Sequence, residues 1–281
     1  MQRRQSWVRD YLVELGADPI TFVGAAELTD PISKTVDSIR GALRLDRRWA
    51  QPIKSYEDAL NLLLERAEDA GLLMMTSGIV GNNTRRVLDV SEFRGFVLID
   101  EYAPLIFTNN RDAKSAQIFT LVHEIAHVWL GSSGLFDLER TISPDMDIER
   151  HCNRVAVELL LPRDQFNEAW KQSRAQDKFR EISRRFRVSR VVVARRALDS
   201  KKITKEEFFS LYEELRNEDK PVKTENDGGN FYNTAHRRLG NRFSRLVSQG
   251  VREGRLAYRD AYRLTGLRGK TFDNYMARFG A

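Results

Sequence analysis

The chain has 281 residues, 41% of them hydrophobic and 31% charged, with a formal net charge of +6 at pH 7. That length and apolar share are enough to bury a sizeable core and favour two domains. A single cysteine, Cys152, excludes an internal disulfide, and no apolar run has the length of a signal-peptide core or a bilayer span, so the expected compartment is the cytoplasm.

Charge is unevenly divided. Residues 1–165 hold 19 Lys and Arg against 25 Asp and Glu, whereas residues 166–281 hold 27 against 15. The basic half is therefore the part expected to meet an anionic partner, nucleic acid first.

In chain order, residues 1–55 read as an N-terminal helical segment. Helical periodicity runs over 32–44, with Ile39, Ala42 and Leu43 on one face, and no complete helix-turn-helix unit is visible before residue 32. Residues 56–165 read as the next unit. It opens with a helix over 57–70 carrying Leu60, Leu62, Leu63 and Leu64. Leu72 to Met75 read as a strand, the glycines with Asn82 and Asn83 as a turn region, and 95–100 with 104–108 as a hairpin. The run Pro104 to Thr108 is a candidate edge on which an extended substrate can pair its backbone.

The stretch Phe119-Thr120-Leu121-Val122-His123-Glu124-Ile125-Ala126-His127 follows. Residues four apart lie one turn apart on the same helix face, so His123 and His127 can point at one metal ion while Glu124 reaches a water bound to it. Ser115 suits a cap and Gly131 a stop, and Ile118, Phe119, Leu121, Val122, Ile125, Val128, Trp129 and Leu130 between them are apolar nearly all round, as in a buried helix. Two histidines and a glutamate in such a helix need partners, and a metal with its water supplies them. The plainer alternative is a pair of core histidines bonded to backbone carbonyls.

A catalytic zinc usually takes a third protein ligand. The segment from Ser143, a cap, and Pro144, suited to the first turn, to the stop at Pro162 reads as the helix that carries it. Glu149 shares a face there with Asn153 and Ala156, but Asp137, Glu139, Asp145 and Asp147 are also carboxylates within reach, and spacing alone does not choose among them.

Residues 72–131 and 148–162 together resemble the ImmA/IrrE family of cytoplasmic zinc metallopeptidases, motif by motif. That family has a short sheet, a helix with a Phe-Thr-Leu-x-His-Glu-x-x-His run, and a helix reading Glu-x-x-(Ala/Cys)-Asn with Ala, Leu-Leu and Pro after it. Here the strand-like runs 95–100 and 104–109 precede the histidine helix, and Glu149-Arg150-His151-Cys152-Asn153 is followed by Ala156, Leu159, Leu160, Leu161 and Pro162. The resemblance implies an α+β, mainly helical, zincin-like peptidase core with a small antiparallel sheet. It implies zinc, with manganese or iron as substitutes, held by His123, His127 and Glu149, and Glu124 as catalytic base. It also implies a protein substrate, a helix-turn-helix repressor or antitoxin in a stress, mobile-element or phage-related system. His151 stands where members often carry a second Glu; about 200 degrees around the helix from Glu149, it is expected to leave the metal unaffected.

Residues 166–216 read as a helical segment. Phe179 to Phe186 and Val191 to Leu198, joined at Arg187-Val188-Ser189, have a helix-turn-helix shape surrounded by Arg184, Arg185, Arg187, Arg190, Arg195 and Arg196. Such pairs also serve as plain packing elements. Residues 217–230 read as an exposed linker, and 231–281 as a small basic helical domain with 11 Lys and Arg against Glu253, Asp260 and Asp273. Its aromatics, Tyr258, Tyr262, Phe272, Tyr275 and Phe279, suit a mini-domain core better than a nucleic-acid platform. Truncation after Asn217 is expected to spare the metal site. The rival to the peptidase reading is a regulatory, antitoxin-like protein with a structural or idle metal site, whose basic half binds DNA or a protein.

Overall fold

Helix α1 (Gln2–Glu14) is followed by α2 (Ile32–Leu43), α3 (Tyr56–Asp69), strand β1 (Leu73–Ser77), a short ribbon of β2 (Ile79–Val80) and β3 (Asn83–Val87), and the hairpin β4 (Gly95–Leu98) and β5 (Leu105–Asn109). The histidine helix α4 (Lys114–Leu130), β6 (Leu135–Phe136), α5 (Met146–Leu160), α6 (Arg163–Gln172), α7 (Lys178–Phe186), α8 (Arg190–Asp199) and α9 (Lys205–Glu218) come next. The chain ends in α10 (Phe231–Leu239), α11 (Asn241–Arg252), α12 (Tyr258–Thr265), α13 (Gly269–Met276) and a 3-10 turn over Ala277–Phe279. This is a computed structural model and describes residues 1–81, 83–132, 135–136, 146–218 and 231–279.

The fold is α+β and mainly helical, as expected, but the sheet is mixed rather than antiparallel. Its order is β1-β5-β4-β6, with β4 antiparallel to β5 and to β6, and β1 parallel to β5 with Leu73 opposite Leu105. The β4–β5 connection, residues 99–104, is too short for a crossover and so gives an antiparallel pair, whereas β1 reaches β5 only through the β2–β3 excursion and β4, and lies alongside it in the same direction. Every residue of β1 and β5 is buried. Continuous apolar runs, rather than alternating ones, are what strands covered on both faces require.

Two cores use the two faces. Leu72, Met74, Val97 and Ile106 pack with Ile39, Leu63, Ile118, Leu121, Ile125, Val155, Leu159 and Phe166 in the first. Leu73, Met75, Leu105 and Phe107 pack in the second with Val8 of α1 and with Leu239, Phe243, Val247, Phe272 and Tyr275 from the C-terminal helices. Helix α1 thus joins the C-terminal helices rather than α2. Arg4 ties them together: its guanidinium donates to the carbonyls of Leu264 (2.8 Å) and Arg238 (3.2 Å), while the Gln5 amide donates to Leu98 (2.8 Å) in the sheet. Desolvation first, then the neighbouring Arg238 charge, draws the Arg4 pKa down to about 10.

The corner between α10 and α11 closes on β1. Gly240 there has φ +73°, and a Cβ on it would lie 2.2 Å from the Met74 carbonyl oxygen, so only glycine permits this approach. Arg237 pairs with Glu57 of α3, which also takes Lys114 at 2.9 Å. Part of the basic charge of the C-terminal segment is therefore spent internally against the acidic half. Most of the expected linker, residues 219–230, lies outside the described residues.

The pair α7–α8 has the expected helix-turn-helix outline, with Arg187 in the left-handed region at the turn and Ser189 capping α8. It is nevertheless part of the first core, through Ile182, Phe186, Val188, Val192, Val193 and Ala197. Four of the six arginines around it are engaged, while Arg184 and Arg185 stand exposed: Arg187 donates to the Ile53 carbonyl, Arg190 pairs with Asp177, Arg195 with Asp199, and Arg196, 3% exposed, with Glu158 at 2.7 Å.

Candidate metal centre

Helix α4 is buried along nearly its whole length, from Gln117 to Trp129. Among the described residues no side chain caps its start, where Ala113 rather than Ser115 holds the N-cap position, but its other end closes as expected at Gly131, in the left-handed conformation at φ +65°. Carbonyls of its last turn are satisfied from outside: Gly24 donates to Val128 (3.0 Å) and Ala26 to Trp129 (2.8 Å), and Phe22 stacks on Trp129 with ring centroids 4.2 Å apart. The helix that carries both histidines is therefore held rigidly at the end nearer the site.

Helix α5 packs across α4 and aims Glu149 at the histidines. The Glu149 carboxylate oxygens lie 3.1 Å from His123 Nε2 and 3.2 Å from His127 Nε2, and the two Nε2 atoms are 3.1 Å apart. Among the described residues, His123, His127 and Glu149 form a cluster whose ligand atoms all lie within 4.8 Å of one another. Of the other carboxylates within sequence reach, Asp147 is exposed and pairs with Arg150 at 3.2 Å, while Asp137, Glu139 and Asp145 lie outside the described residues, as do Ser143 and Pro144. His151 is turned away, toward the Leu28 backbone and Asp30.

The electrostatics fit a bound cation. Burial works to raise the Glu149 pKa, but hydrogen bonds and attraction from His123 and His127 outweigh it and draw it down to about 2. Burial lowers the His123 pKa, favouring the neutral imidazole that a metal needs. Glu124 is fully buried, and neither of its carboxylate oxygens has a hydrogen-bond partner among the described residues. Desolvation, and then the Glu149 charge, hold its pKa well above the usual carboxylate range. A buried carboxylate with both oxygens bare is costly, and a cation with its water beside it supplies the missing partners. Two imidazole nitrogens and a carboxylate oxygen are also a donor set of catalytic zinc. The three residues present therefore fit such an ion.

Three further residues stand around the cluster: Ser132 and Gly95, to which the sequence assigned no role at the site, and Asn153, which it placed only on the face of Glu149. Ser132 Oγ lies 3.0 Å from His127 Nδ1, so a proton on Nδ1 leaves Nε2 free to ligate. Asn153, one turn beyond Glu149, hydrogen-bonds His123. Gly95 lets β4 come close to α4: a Cβ there would meet Thr120 Cγ2 at 2.7 Å, the Phe107 carbonyl oxygen at 2.9 Å and Glu124 Oε1 at 3.3 Å. A glycine opening a strand is the one signal that pointed to such an approach. The expected substrate edge is corrected as well. Strand β5 is central, flanked by β1 and β4, so its backbone has no free edge; β4 is the strand beside Glu124, and its outer edge pairs with β6 at Gly95 and Phe96.

Residues 67–198 match the family model of the IrrE N-terminal-like domain, a peptidase family, and this span takes in β1 to α8 with the whole His123, His127 and Glu149 cluster. Residues 239–278 match a second model, a domain of unknown function. No curated protein is similar enough to the chain to count as a relative.

Proposed function

Because residues 67–198 belong to the IrrE N-terminal-like family of metallopeptidases, we propose that the protein is a zinc-dependent endopeptidase of narrow specificity with Glu124 as its general base. One observation carries the reading: His123, His127 and Glu149 converge while Glu124 stands buried beside them, with no hydrogen-bond partner for either oxygen among the described residues. His123, His127 and Glu149 would hold the ion, with Ser132 and Asn153 orienting the two rings. When bound, the metal supplies Lewis acidity toward water and toward a peptide carbonyl.

Glu124 accepts a proton from the attacking water on a carboxylate oxygen and then delivers it to the amine of the cleaved bond. Its place on the rigid α4, one residue from a ligand, holds it at a constant distance from the reacting atoms. The rival regulatory reading leaves a buried carboxylate, without a hydrogen-bond partner among the described residues, with no role.

The substrate proposed is a helix-turn-helix repressor or antitoxin of a stress, mobile-element or phage-related system, and the compartment the cytoplasm. The motif resemblance supports the first, and the low cysteine content the second. Among the described residues no helix is long and apolar enough to cross a membrane. The test is incubation of the zinc-loaded protein with DNA-binding regulators encoded beside it, read by mass spectrometry. Scission that disappears with chelator and in Glu124→Gln supports the proposal; scission that persists in either overturns it.

A further inference from the structure

We propose that α12 and α13 form a helix-turn-helix that reads duplex DNA, on the side of the sheet opposite the metal centre. Helix α12 ends at Gly266 in the left-handed conformation, φ +73°, and after Leu267 and Arg268 the chain enters α13 at Gly269. Two short helices joined by a three-residue, glycine-containing turn have the connectivity of this motif. Their apolar faces are already used: Ala261, Leu267, Phe272, Tyr275 and Met276 are buried with Phe243 and Val247 of α11. Helix α11 thus backs the pair and leaves their other faces exposed.

Those faces have the chemistry of a nucleic-acid surface. On α13 the exposed stripe is Lys270, Asp273 and Asn274, continued by Ala277 at the start of the 3-10 turn, at the spacing of one helix face. Lys pairs with guanine O6 and N7, Asn with adenine N6 and N7, and Asp accepts from cytosine N4, so three of the four positions are able to read base edges in a major groove. Arg268 at the start of α13 is exposed, and on α12 Arg259 and Arg263 have side chains 79% and 64% exposed. Both α12 arginines lean on one carboxylate, Asp260, at 4.0 and 3.5 Å, which leaves the cluster cationic. On α7–α8, by contrast, Arg187, Arg190, Arg195 and Arg196 are held in ion pairs or by a backbone carbonyl, and of the arginines around its turn Arg184 and Arg185 alone are exposed without such a partner among the described residues.

The inference does not depend on the peptidase reading. It is tested with the full-length protein, by selecting from a pool of duplexes with a randomised core and measuring affinity by fluorescence anisotropy across a salt series. Expected is a selected duplex bound more than about tenfold tighter than a random one. Lys270→Ala and Asn274→Ala should each remove about tenfold or more of that preference. Arg263→Ala and Arg268→Ala should weaken binding to all sequences and shallow the log–log salt slope by about 0.9 each. These positions are exposed, and melting curves matching the parent protein establish that each variant is folded; Lys270→Glu, which reverses the charge, should abolish binding. Glu124→Gln should bind DNA like the parent, so loss of peptidase activity and loss of DNA binding are read separately. No retention of any duplex at low salt overturns the proposal. So does binding unchanged in all the α12–α13 variants, or equal affinity for single-stranded DNA or RNA.

Discussion

Glu68 on α3 accepts the backbone N–H of Arg242 at 3.1 Å, so a carboxylate of the peptidase half caps the start of α11 in the C-terminal half. The contact is mostly buried. Desolvation pushes the Glu68 pKa up from 4.5 to about 7 in spite of hydrogen bonds from Arg242 and Asn241.

A pH dependence of stability follows. Glu68 binds its proton more tightly in the folded chain, so its contribution is fully present below pH 4.5 and is lost as pH rises from 4.5 through about 7. The loss is on the order of 3 kcal/mol. Glu68→Gln keeps an oxygen to accept from Arg242 and cannot ionise, so its Tm should fall less than that of the parent between pH 5 and pH 8. Parallel Tm curves for the two proteins would refute the assignment.

Gly95 is the second test. A methyl group there meets Thr120 Cγ2 at 2.7 Å and a backbone oxygen, Phe107 O, at 2.9 Å, and the backbone cannot rotate away. Gly95→Ala should destabilise by about 1–3 kcal/mol, seen as a lower midpoint in guanidinium chloride at unchanged m, and should reduce peptidase activity by displacing Glu124. A variant with the parent's midpoint and activity would show that β4 gives way freely.

The candidate site was legible in part because His123, Glu124 and His127 lie close in sequence. The spacing of His123 and His127 with Glu124 after the first states the geometry of one helix face, and Gly131 marks where that helix ends. Glu149 needed the resemblance, since several carboxylates compete in the same stretch and only tertiary packing aims one of them. Ser132, Asn153 and Gly95 act through distances that exist only once α4, α5 and β4 have met. The continuous apolar runs Leu72 to Met75 and Leu105 to Phe107 indicated strands buried on both sides. What covers the second face was not readable, because α1 and α11, which supply it, are more than two hundred residues apart.

Glu124→Gln and Glu149→Ala separate chemistry from metal binding. The first preserves side-chain shape and all three ligands, so zinc content and Tm should stay near the parent values while cleavage falls by about 10²–10⁴-fold. The second removes one of the three proposed ligands, and zinc measured by atomic emission after dialysis should fall below stoichiometric. Full zinc retention in Glu149→Ala would mean that another carboxylate completes the shell.

Truncation after Asn217 reverses the expectation drawn from the sequence. A linker suggested that the C-terminal segment is dispensable for the metal site, but its helices cover Leu73, Met75, Leu105 and Phe107 on the sheet's second face. Uncovering four such side chains forfeits about 1.5–3 kcal/mol each, which together is comparable to the 5–15 kcal/mol of a whole domain. Strand β5 is hydrogen-bonded to β4, and β4 carries Gly95 against Glu124, so the loss reaches the site through the sheet. The 1–217 fragment should therefore be poorly soluble, bind a hydrophobic dye, melt without a cooperative transition and hold zinc weakly. A soluble fragment that melts cooperatively with one equivalent of zinc would show that the first core stands alone, and that α10–α13 are a separable module.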